Sequence, residues 1–183
     1  MRIISGKYGG RRLDVPKGRD IRPTSDKVRG SIFNALISRA DIEGAQVIDL
    51  FCGTGALGLE ALSRGAAHCI FVDKAKESLS LARQNADDLD AEEQADFILS
   101  DASKLRPRAE GVRACDVFFC DPPYRMDLIA PALQSLLSGD WLADSAIGVL
   151  EAEKSWSVNI PPAFEILTEK TYGDTRVVYV RKI

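Results

Sequence analysis

The chain alternates short apolar runs with segments of helical periodicity, and this alternation restricts the fold more than any other feature. Apolar runs that predict strands occupy residues 47–51, 69–73, 96–99, 116–120 and 146–150. Helical patterns precede or separate these runs at about 26–39, 56–63 and 76–86, and a last one lies within 127–138, where Pro131 indicates a kink or a late start. Such a succession predicts a doubly wound α/β sheet with mainly parallel strands.

The end of the chain departs from this alternation. Two further apolar runs, 164–168 and 177–180, flank the turn signal Tyr172-Gly173-Asp174 and leave no room for a crossover helix. Strands joined by so short a connection are antiparallel. We therefore predict a seven-stranded, Rossmann-like sheet in which the last strand is antiparallel.

Basic residues are concentrated at the beginning of the chain. Residues 1–39 contain ten Lys and Arg against three acidic residues, although the 183-residue chain has a net charge of −3. Turn glycines and Pro16 favour a hairpin-like extension, so we divide the chain into a basic arm, 1–22, and a body, 23–183. Such an arm suits a polyanion, whereas ordinary scatter of surface charge is the alternative. The candidate phosphate contacts are Arg2, Lys7, Arg11, Arg12, Lys17 and Arg19.

Several classes of protein are disfavoured by the composition. No stretch approaches the roughly 20 apolar residues that span a bilayer, and the N-terminal residues resemble no signal peptide. The four cysteines form no Cys-x-x-Cys pair, and His68 is the single histidine, so we expect no metal site. We expect a cytoplasmic protein of one main domain, with no membrane partner.

The segment Asp121-Pro122-Pro123-Tyr124 directly follows the apolar run 116–120. In open α/β sheets, ligands bind at the carboxyl ends of the strands. Two prolines remove two backbone donors, which leaves local carbonyl groups free to accept hydrogen bonds. A carboxylate, free carbonyls and an aromatic ring together suit a planar amine, although a Pro-Pro turn with a packed tyrosine is the structural alternative.

The first strand runs into Gly53-Thr54-Gly55-Ala56-Leu57-Gly58, a G-x-G-x-x-G loop that alone suits a nicotinamide dinucleotide equally well. Asp49, four residues earlier, would repel a pyrophosphate but attract the α-ammonium of S-adenosylmethionine. Asp73 lies where an acid binds a ribose diol, and Asp101 is placed to contact the adenine amine. Each acid alone has an alternative role as a helix cap or loop residue. Together with Asp121, these residues place four acids at the ends of four successive predicted strands, and this set suits S-adenosylmethionine better than a dinucleotide.

The segments VIDLFCGTGALGLEALSRGA, FVDKAKES, LSDA and FCDPPY resemble the successive motifs of amino-methylating class I methyltransferases. The front end, RIISGKYGGRRLDVP followed by RPTSDKVRGSIFNAL, resembles the RsmD family, with Tyr8 where that family has tryptophan. The resemblance implies transfer of a methyl group from S-adenosylmethionine to N2 of a guanine in 16S ribosomal RNA. It implies an assembling small ribosomal subunit as partner. We expect a monomer, with Tyr8 packed against the body rather than stacked on a base.

The resemblance also extends the candidate site. In similar enzymes the segment with Arg22 and Thr24 covers the methionine end of the cofactor, where Arg22 would bind the carboxylate; a charged loop and a helix cap are the alternative. The loop residues assigned to the cofactor are Phe51, Cys52, Gly53, Thr54, Gly55, Lys74 and Ala102. Asp121 and the Pro122 carbonyl would accept the hydrogens of the target amine, Pro123 completes the turn, and Tyr124 would stack on the base.

Three other functions remain open from the residues. An adenine-N6 DNA methyltransferase would use the same Asp-Pro-Pro-Tyr motif. An RNA-binding assembly factor would keep the fold without turnover, and a nicotinamide oxidoreductase would use the glycine loop.

Overall fold

The computed structural model describes residues 1–16, 26–124 and 126–183. Four α-helices are present in this part of the chain: α1 Asp26–Ile37, α2 Ala56–Ser63, α3 Lys76–Asp88 and α4 Ile129–Ser138. The strands are β1 Gln46–Leu50, β2 His68–Asp73, β3 Ala95–Leu99, β4 Cys115–Cys120, β5 Leu142–Glu153, β6 Phe164–Tyr172 and β7 Thr175–Lys182. Short 3-10 helices occupy Glu92–Gln94 and Ala102–Lys104.

The seven strands form one sheet in the order β3-β2-β1-β4-β5-β7-β6. The pairs from β3 to β5 are parallel, and β7 is antiparallel to both β5 and β6. The predicted doubly wound sheet with an antiparallel last strand is therefore confirmed. Because β1 is flanked by β2 and β4, the carboxyl ends of these three strands form one edge, where such sheets bind ligands.

The central strands are buried on both faces, which explains their almost continuous apolar sequences. Val47 and Phe119 belong to one hydrophobic cluster, whereas Ile48 and Phe118 belong to the cluster on the other face. Neighbouring residues of a strand point to opposite faces, so each run supplies both clusters.

The largest differences from the predicted bounds are in the last three strands. β5 begins at Leu142 rather than 146, and the hairpin strands continue to Tyr172 and from Thr175. The added residues are mostly polar because one face of this antiparallel hairpin is open to solvent. α4 begins at Ile129 with Pro131 in its first turn, as a late start requires.

Residues 1–16 fold back on themselves and pack against the body. Arg2 and Arg12 form an antiparallel bridge, and the Ile3 amide donates to the Arg11 carbonyl at 2.9 Å. Ile3, Tyr8 and Leu13 are buried in the cluster that also contains Val47. The side chain of Tyr8 therefore packs in the core, as expected. Within the described ranges, the helices are too short or too polar to cross a membrane.

Candidate active site

Three of the predicted site segments meet at one edge of the sheet. Leu50 of β1 is paired in register with Val72 of β2 and with Cys120 of β4. The next residue of each strand or loop therefore lies at the same level: Phe51, Asp73 and Asp121. These three residues are far apart in the sequence, and the parallel register of the strands brings them together.

Asp49 lies just below this edge and is almost completely buried, with 1% of the residue exposed. Its Oδ2 accepts a hydrogen bond of 2.9 Å from the amide of Gly58. The pKa of Asp49 is raised to about 7, mainly by burial; the Gly58 amide opposes this shift, and the nearby charges of Asp121 and Asp73 contribute to it. The carboxylates thus create a negative potential that favours a cationic ligand.

Asp73 fastens the glycine loop to the end of β2. One carboxylate oxygen accepts from the amide of Gly53 at 3.0 Å, and the other accepts from the amide of Ala75 at 2.9 Å. Each carboxylate oxygen retains a second lone pair. Asp73 therefore shapes the loop and still offers acceptors toward the crevice.

Asp101 caps the 3-10 helix Ala102–Lys104. Its Oδ1 accepts from the amide of Ser103 at 2.9 Å and from the Ser103 hydroxyl at 2.7 Å. The hydroxyl bond is the main reason that the pKa of Asp101 is lowered. The structure therefore gives Asp101 the capping role that the sequence left as an alternative to adenine contact, with both capping bonds on Oδ1.

The backbone of the glycine loop follows from its sequence. Phe51 has a φ of 58°, a left-handed conformation that is unusual for a bulky residue and is typical of functional sites. A Cβ on Gly58 would lie 2.4 Å from the Phe71 ring, so only glycine lets α2 pack this closely on β2. A Cβ on Gly53 would meet nothing nearer than an oxygen at 3.9 Å, so the backbone there faces open space.

This donor and acceptor set fits S-adenosylmethionine. The open backbone at Gly53 would admit a close adenosyl group, and the mutual repulsion of Asp49, Asp73 and Asp121 would be relieved by a cationic ligand. A pyrophosphate would add negative charge to the same place.

The other predicted cofactor residues differ in accessibility. Cys52, Thr54, Gly55 and Ala102 are buried, so they can contact a ligand mainly through their backbone atoms, whereas Lys74 is exposed. Burial, with the nearby charges of Asp49 and Asp73, raises the pKa of the Cys52 thiol. Arg22 and Thr24 lie outside the described residues.

The Asp-Pro-Pro-Tyr segment forms the other side of the crevice. Asp121 is partly buried, and burial raises its pKa to about 6. Within the described ranges, neither its carboxylate nor the Pro122 carbonyl takes part in a hydrogen bond. Pro122 is buried and Pro123 exposed. Tyr124 is 40% exposed, and its hydroxyl lies 2.9 Å from that of Thr175.

A cavity of about 380 Å³ opens beside this segment. Pro122, Pro123 and Tyr124 form one wall. The facing wall comes from the end of β5 and the following loop, and includes Glu151, Ala152, Glu153, Trp156, Ser157 and Asn159. The volume is within the range of small-ligand sites.

Two buried polar residues that sequence reasoning missed tie the N-terminal segment to this site. Asn85 on α3 accepts from the Asp14 amide at 2.7 Å and donates to the carbonyls of Asp14 and Thr54 at 3.1 and 2.9 Å. Glu60 on α2 accepts from the amides of Ile4 and Ser5 at 2.7 and 3.1 Å. Of these two residues, only Glu60 could have been recognised from the sequence, because it is the single charged residue in the mainly apolar helix ALGLEALS.

The predicted RNA contacts that the structure describes are all exposed, but several also make internal contacts. Arg2 pairs with Asp26 at 2.9 Å, and the ammonium of Lys7 lies over the Tyr8 ring. Arg11 donates to the Asp88 carbonyl. Arg12 is exposed, whereas Lys17 and Arg19 lie outside the described residues.

A family model, a curated relative and a solved structure each match this chain over almost its whole length. The family model described as "Conserved hypothetical protein 95" matches residues 1–181. The Haemophilus influenzae protein named ribosomal RNA small subunit methyltransferase D is 33% identical over 94% of this chain and 89% of its own length. The solved structure of the Escherichia coli protein yhhF superposes with a TM-score of 0.85 at 31% identity, covering 100% of this chain and 97% of the other.

A more distant structure shows the same fold. Magnesium protoporphyrin IX methyltransferase from Synechocystis, solved with bound S-adenosylmethionine, is 19% identical with a TM-score of 0.67, covering 90% of this chain and 82% of that protein.

Proposed function

Because the chain belongs to the RsmD family, we propose that it transfers a methyl group from S-adenosylmethionine to N2 of a guanine in 16S ribosomal RNA. One observation carries the choice of an amine as acceptor. The Asp121 carboxylate and the Pro122 carbonyl make no hydrogen bond within the described ranges. Pro122 lines the cavity, and Asp121 is close enough to Asp49 for its charge to raise the pKa of that carboxyl.

The exocyclic amine of a nucleobase is a weak nucleophile because its lone pair is delocalised into the ring. Asp121 Oδ and the Pro122 carbonyl would each accept one amine hydrogen, which favours a pyramidal nitrogen whose lone pair is free to attack. As positive charge develops on that nitrogen, the Asp121 carboxylate stabilises it at close range. Asp121 is also positioned to receive the proton that the amine must lose.

Tyr124 supplies orientation. Its exposed ring borders the cavity and would stack on the extruded base, which holds the amine in line for the reaction. An unpaired base in a loop reaches such a cavity at lower energetic cost than a paired one.

S-adenosylmethionine, when bound, supplies an electrophilic methyl group on a sulfonium centre. Asp49, Asp73 and the backbone of Gly53 and Gly55 would hold it, with Asp101 near the adenine end. Arg22 and Thr24 remain proposed contacts of its methionine end, and the backbone of Phe51, Cys52, Thr54 and Ala102 completes the pocket together with Lys74.

The basic arm would contact the RNA backbone. Arg2, Lys7, Arg11 and Arg12 are exposed on one folded segment, and Lys17 and Arg19 would extend it. The remaining parts of the proposal are an assembling small ribosomal subunit as the substrate, a cytoplasmic location and a monomeric enzyme. The name of the Haemophilus influenzae relative supports the small-subunit RNA.

The test is methyl transfer with radiolabelled S-adenosylmethionine to small ribosomal particles that lack this modification, compared with duplex DNA. We expect label in one guanine of 16S ribosomal RNA, located by mass spectrometry of nuclease digests. Label in DNA adenine alone would instead support the N6 methyltransferase, and absence of transfer to either substrate would support the assembly factor. Calorimetry with S-adenosylhomocysteine and with NAD separates the methyltransferase from the oxidoreductase.

A further inference from the structure

Tyr124 contacts a strand that does not neighbour its own. The residue follows β4, whereas the hydroxyl that it meets belongs to Thr175, the first residue of β7, at 2.9 Å. In the sheet, β5 lies between β4 and β7. The tyrosine side chain therefore extends over the carboxyl end of β5, next to the cavity wall that β5 supplies.

The start of β7 is itself held firmly. Thr175 is paired with Glu153 of β5 on one side and with Tyr172 of β6 on the other. The preceding turn is fixed by a 2.8 Å hydrogen bond from the Lys154 amide to the Asp174 carbonyl. The backbone that carries the Thr175 hydroxyl is therefore held in place, and a hydrogen bond to this hydroxyl can orient the side chain of Tyr124.

The next residue of β7 contacts another part of the lining of the same cavity. Arg176 Nη1 donates to the Trp156 carbonyl at 2.9 Å, and its Nη2 pairs with Glu169 at 2.6 Å. Trp156 lines the same cavity as Tyr124. Two successive residues of β7 thus contact two residues of the cavity lining, Tyr124 and Trp156.

We infer that Thr175 is a positioning residue for methyl transfer: its hydroxyl fixes the ring plane of Tyr124 before the target base enters. The inference rests on the proposed function, in which Tyr124 stacks on that base. A tyrosine ring that is 40% exposed otherwise loses side-chain freedom when a base stacks on it. A hydrogen bond at the far end of the ring imposes this restriction in advance, so less entropy is lost in the productive complex.

Thr175→Val tests the hydroxyl directly, because valine has nearly the same shape and a high preference for strands. With undermodified small ribosomal particles as substrate, kcat/KM should fall about 3- to 10-fold, chiefly through kcat, as expected for loss of one neutral hydrogen bond. The KM for S-adenosylmethionine and the melting temperature should not change. Thr175→Ser keeps a hydroxyl and should restore most of the activity.

A double-mutant cycle identifies the partner. Tyr124→Phe should lower kcat/KM to the same extent as Thr175→Val, and the combined variant should lose little more than either single variant. The matched control is Thr171→Val, on the β6 side of the same hairpin, which should behave as wild type. Additive losses, or an equal loss in the Thr171 variant, would refute the positioning role.

A readout without turnover separates this inference from the proposed function. In isotope-labelled protein, three-bond couplings of the Tyr124 β-protons report χ1, with the signals assigned from Tyr124→Phe. We expect a single rotamer in the wild type and averaging in Thr175→Val. One rotamer in both proteins, or unchanged kcat/KM in the valine variant of an active enzyme, would overturn the inference. A wild type with the expected couplings that methylates no particle would overturn the proposed function alone.

Discussion

The two sides of the crevice differ in how far their polar groups are already used. On the cofactor side, Asp49 and Asp73 accept backbone hydrogen bonds from Gly58, Gly53 and Ala75, and Asn85 holds the carbonyl of the glycine loop. On the base side, the Asp121 carboxylate has no hydrogen bond within the described ranges. The cofactor side is therefore shaped by its own backbone, whereas the base side keeps acceptors for its substrate.

From this difference we expect substitutions on the cofactor side to change the stability of the fold, and substitutions on the base side to change the rate of methyl transfer. Polar groups that bond internally contribute to folding, and their loss leaves buried partners unsatisfied. Acceptors that bond only to the substrate contribute to the transition state, and their loss does not destabilise the free protein.

The largest effect is expected from Asp121→Asn, which keeps the size of the side chain but removes its charge. We expect kcat to fall by about 10²- to 10³-fold, as for loss of one preorganised electrostatic contact. Because burial raises the pKa of Asp121, its ionisation opposes folding, so the variant should melt at a higher temperature than the wild type at pH 8. Because the pKa of Asp121 is raised to about 6, wild-type activity should also decline as pH falls through 6, where the carboxylate becomes protonated. The measurement is steady-state kinetics against pH.

Asp127→Asn is the matched control for this substitution, because Asp127 lines the cavity next to the same loop and its φ of 44° is one that asparagine tolerates. It should retain most of the activity. A comparable loss in both variants would show that net charge in the cavity, rather than the position of Asp121, determines the rate.

Asp49→Asn should separate stability from ligand binding on the cofactor side. The folded-state pKa of about 7 lies above the ordinary value of 3.8, so ionisation opposes folding, and wild-type stability should fall as pH rises from about 4 to 7. Asparagine retains an acceptor for Gly58 without the charge, so the variant should be more stable by roughly 2–4 kcal/mol at pH 8. Its affinity for S-adenosylhomocysteine should fall.

Urea unfolding at pH 4 and pH 8, with calorimetry of the ligand, measures both effects. Equal stability of the two proteins at pH 8 would mean that the Asp49 carboxylate is not destabilising. In that case the contrast between the two sides of the crevice would lose its electrostatic part.

Asn85→Ala tests whether the N-terminal segment supports the glycine loop. The substitution leaves the Asp14 amide and the carbonyls of Asp14 and Thr54 without their partner, which should cost about 1–3 kcal/mol of unfolding free energy. Affinity for S-adenosylhomocysteine should weaken as well. Gln84→Ala, the exposed neighbour on α3, is the control and should change neither quantity.

The smallest effect is expected from neutralising Arg11 and Arg12 with glutamine. Two lost phosphate contacts should lower the slope of log affinity against log salt by about 1.4 for single-stranded RNA, with a uniform loss of affinity. Filter binding across a salt series measures this. Arg83→Gln with Arg106→Gln, two exposed arginines outside the arm, is the control; an equal change there would assign the effect to net charge.

Much of the fold could be predicted because its determinants are local. An apolar run of five residues followed by a helical period identifies β1 with α2 and β2 with α3 without any knowledge of the rest of the chain. The predicted bounds of β6 and β7 were shorter than the observed ones. One face of these strands is open to solvent, and the polar residues on that face also occur in turns, so the sequence pattern did not mark them as strand residues.

For the candidate site, too, some features could be predicted from the sequence and others could not. Position along the chain alone places Asp49 near the end of β1, Asp73 at the end of β2 and Asp121 directly after β4. What each carboxylate does depends on the tertiary structure. The parallel register of β1, β2 and β4 brings Asp73 and Asp121 to one level with Asp49 just below them, and burial then raises the pKa of Asp49 and Asp121.

The contacts of Asn85 with Asp14 and of Tyr124 with Thr175 join residues 71 and 51 positions apart. No periodicity or motif encodes such pairs, because a hydrogen bond depends on distance in space rather than separation in sequence. The sequence therefore determined which groups the chain offers to a cofactor and a base, and the packing of the sheet decided which of them meet.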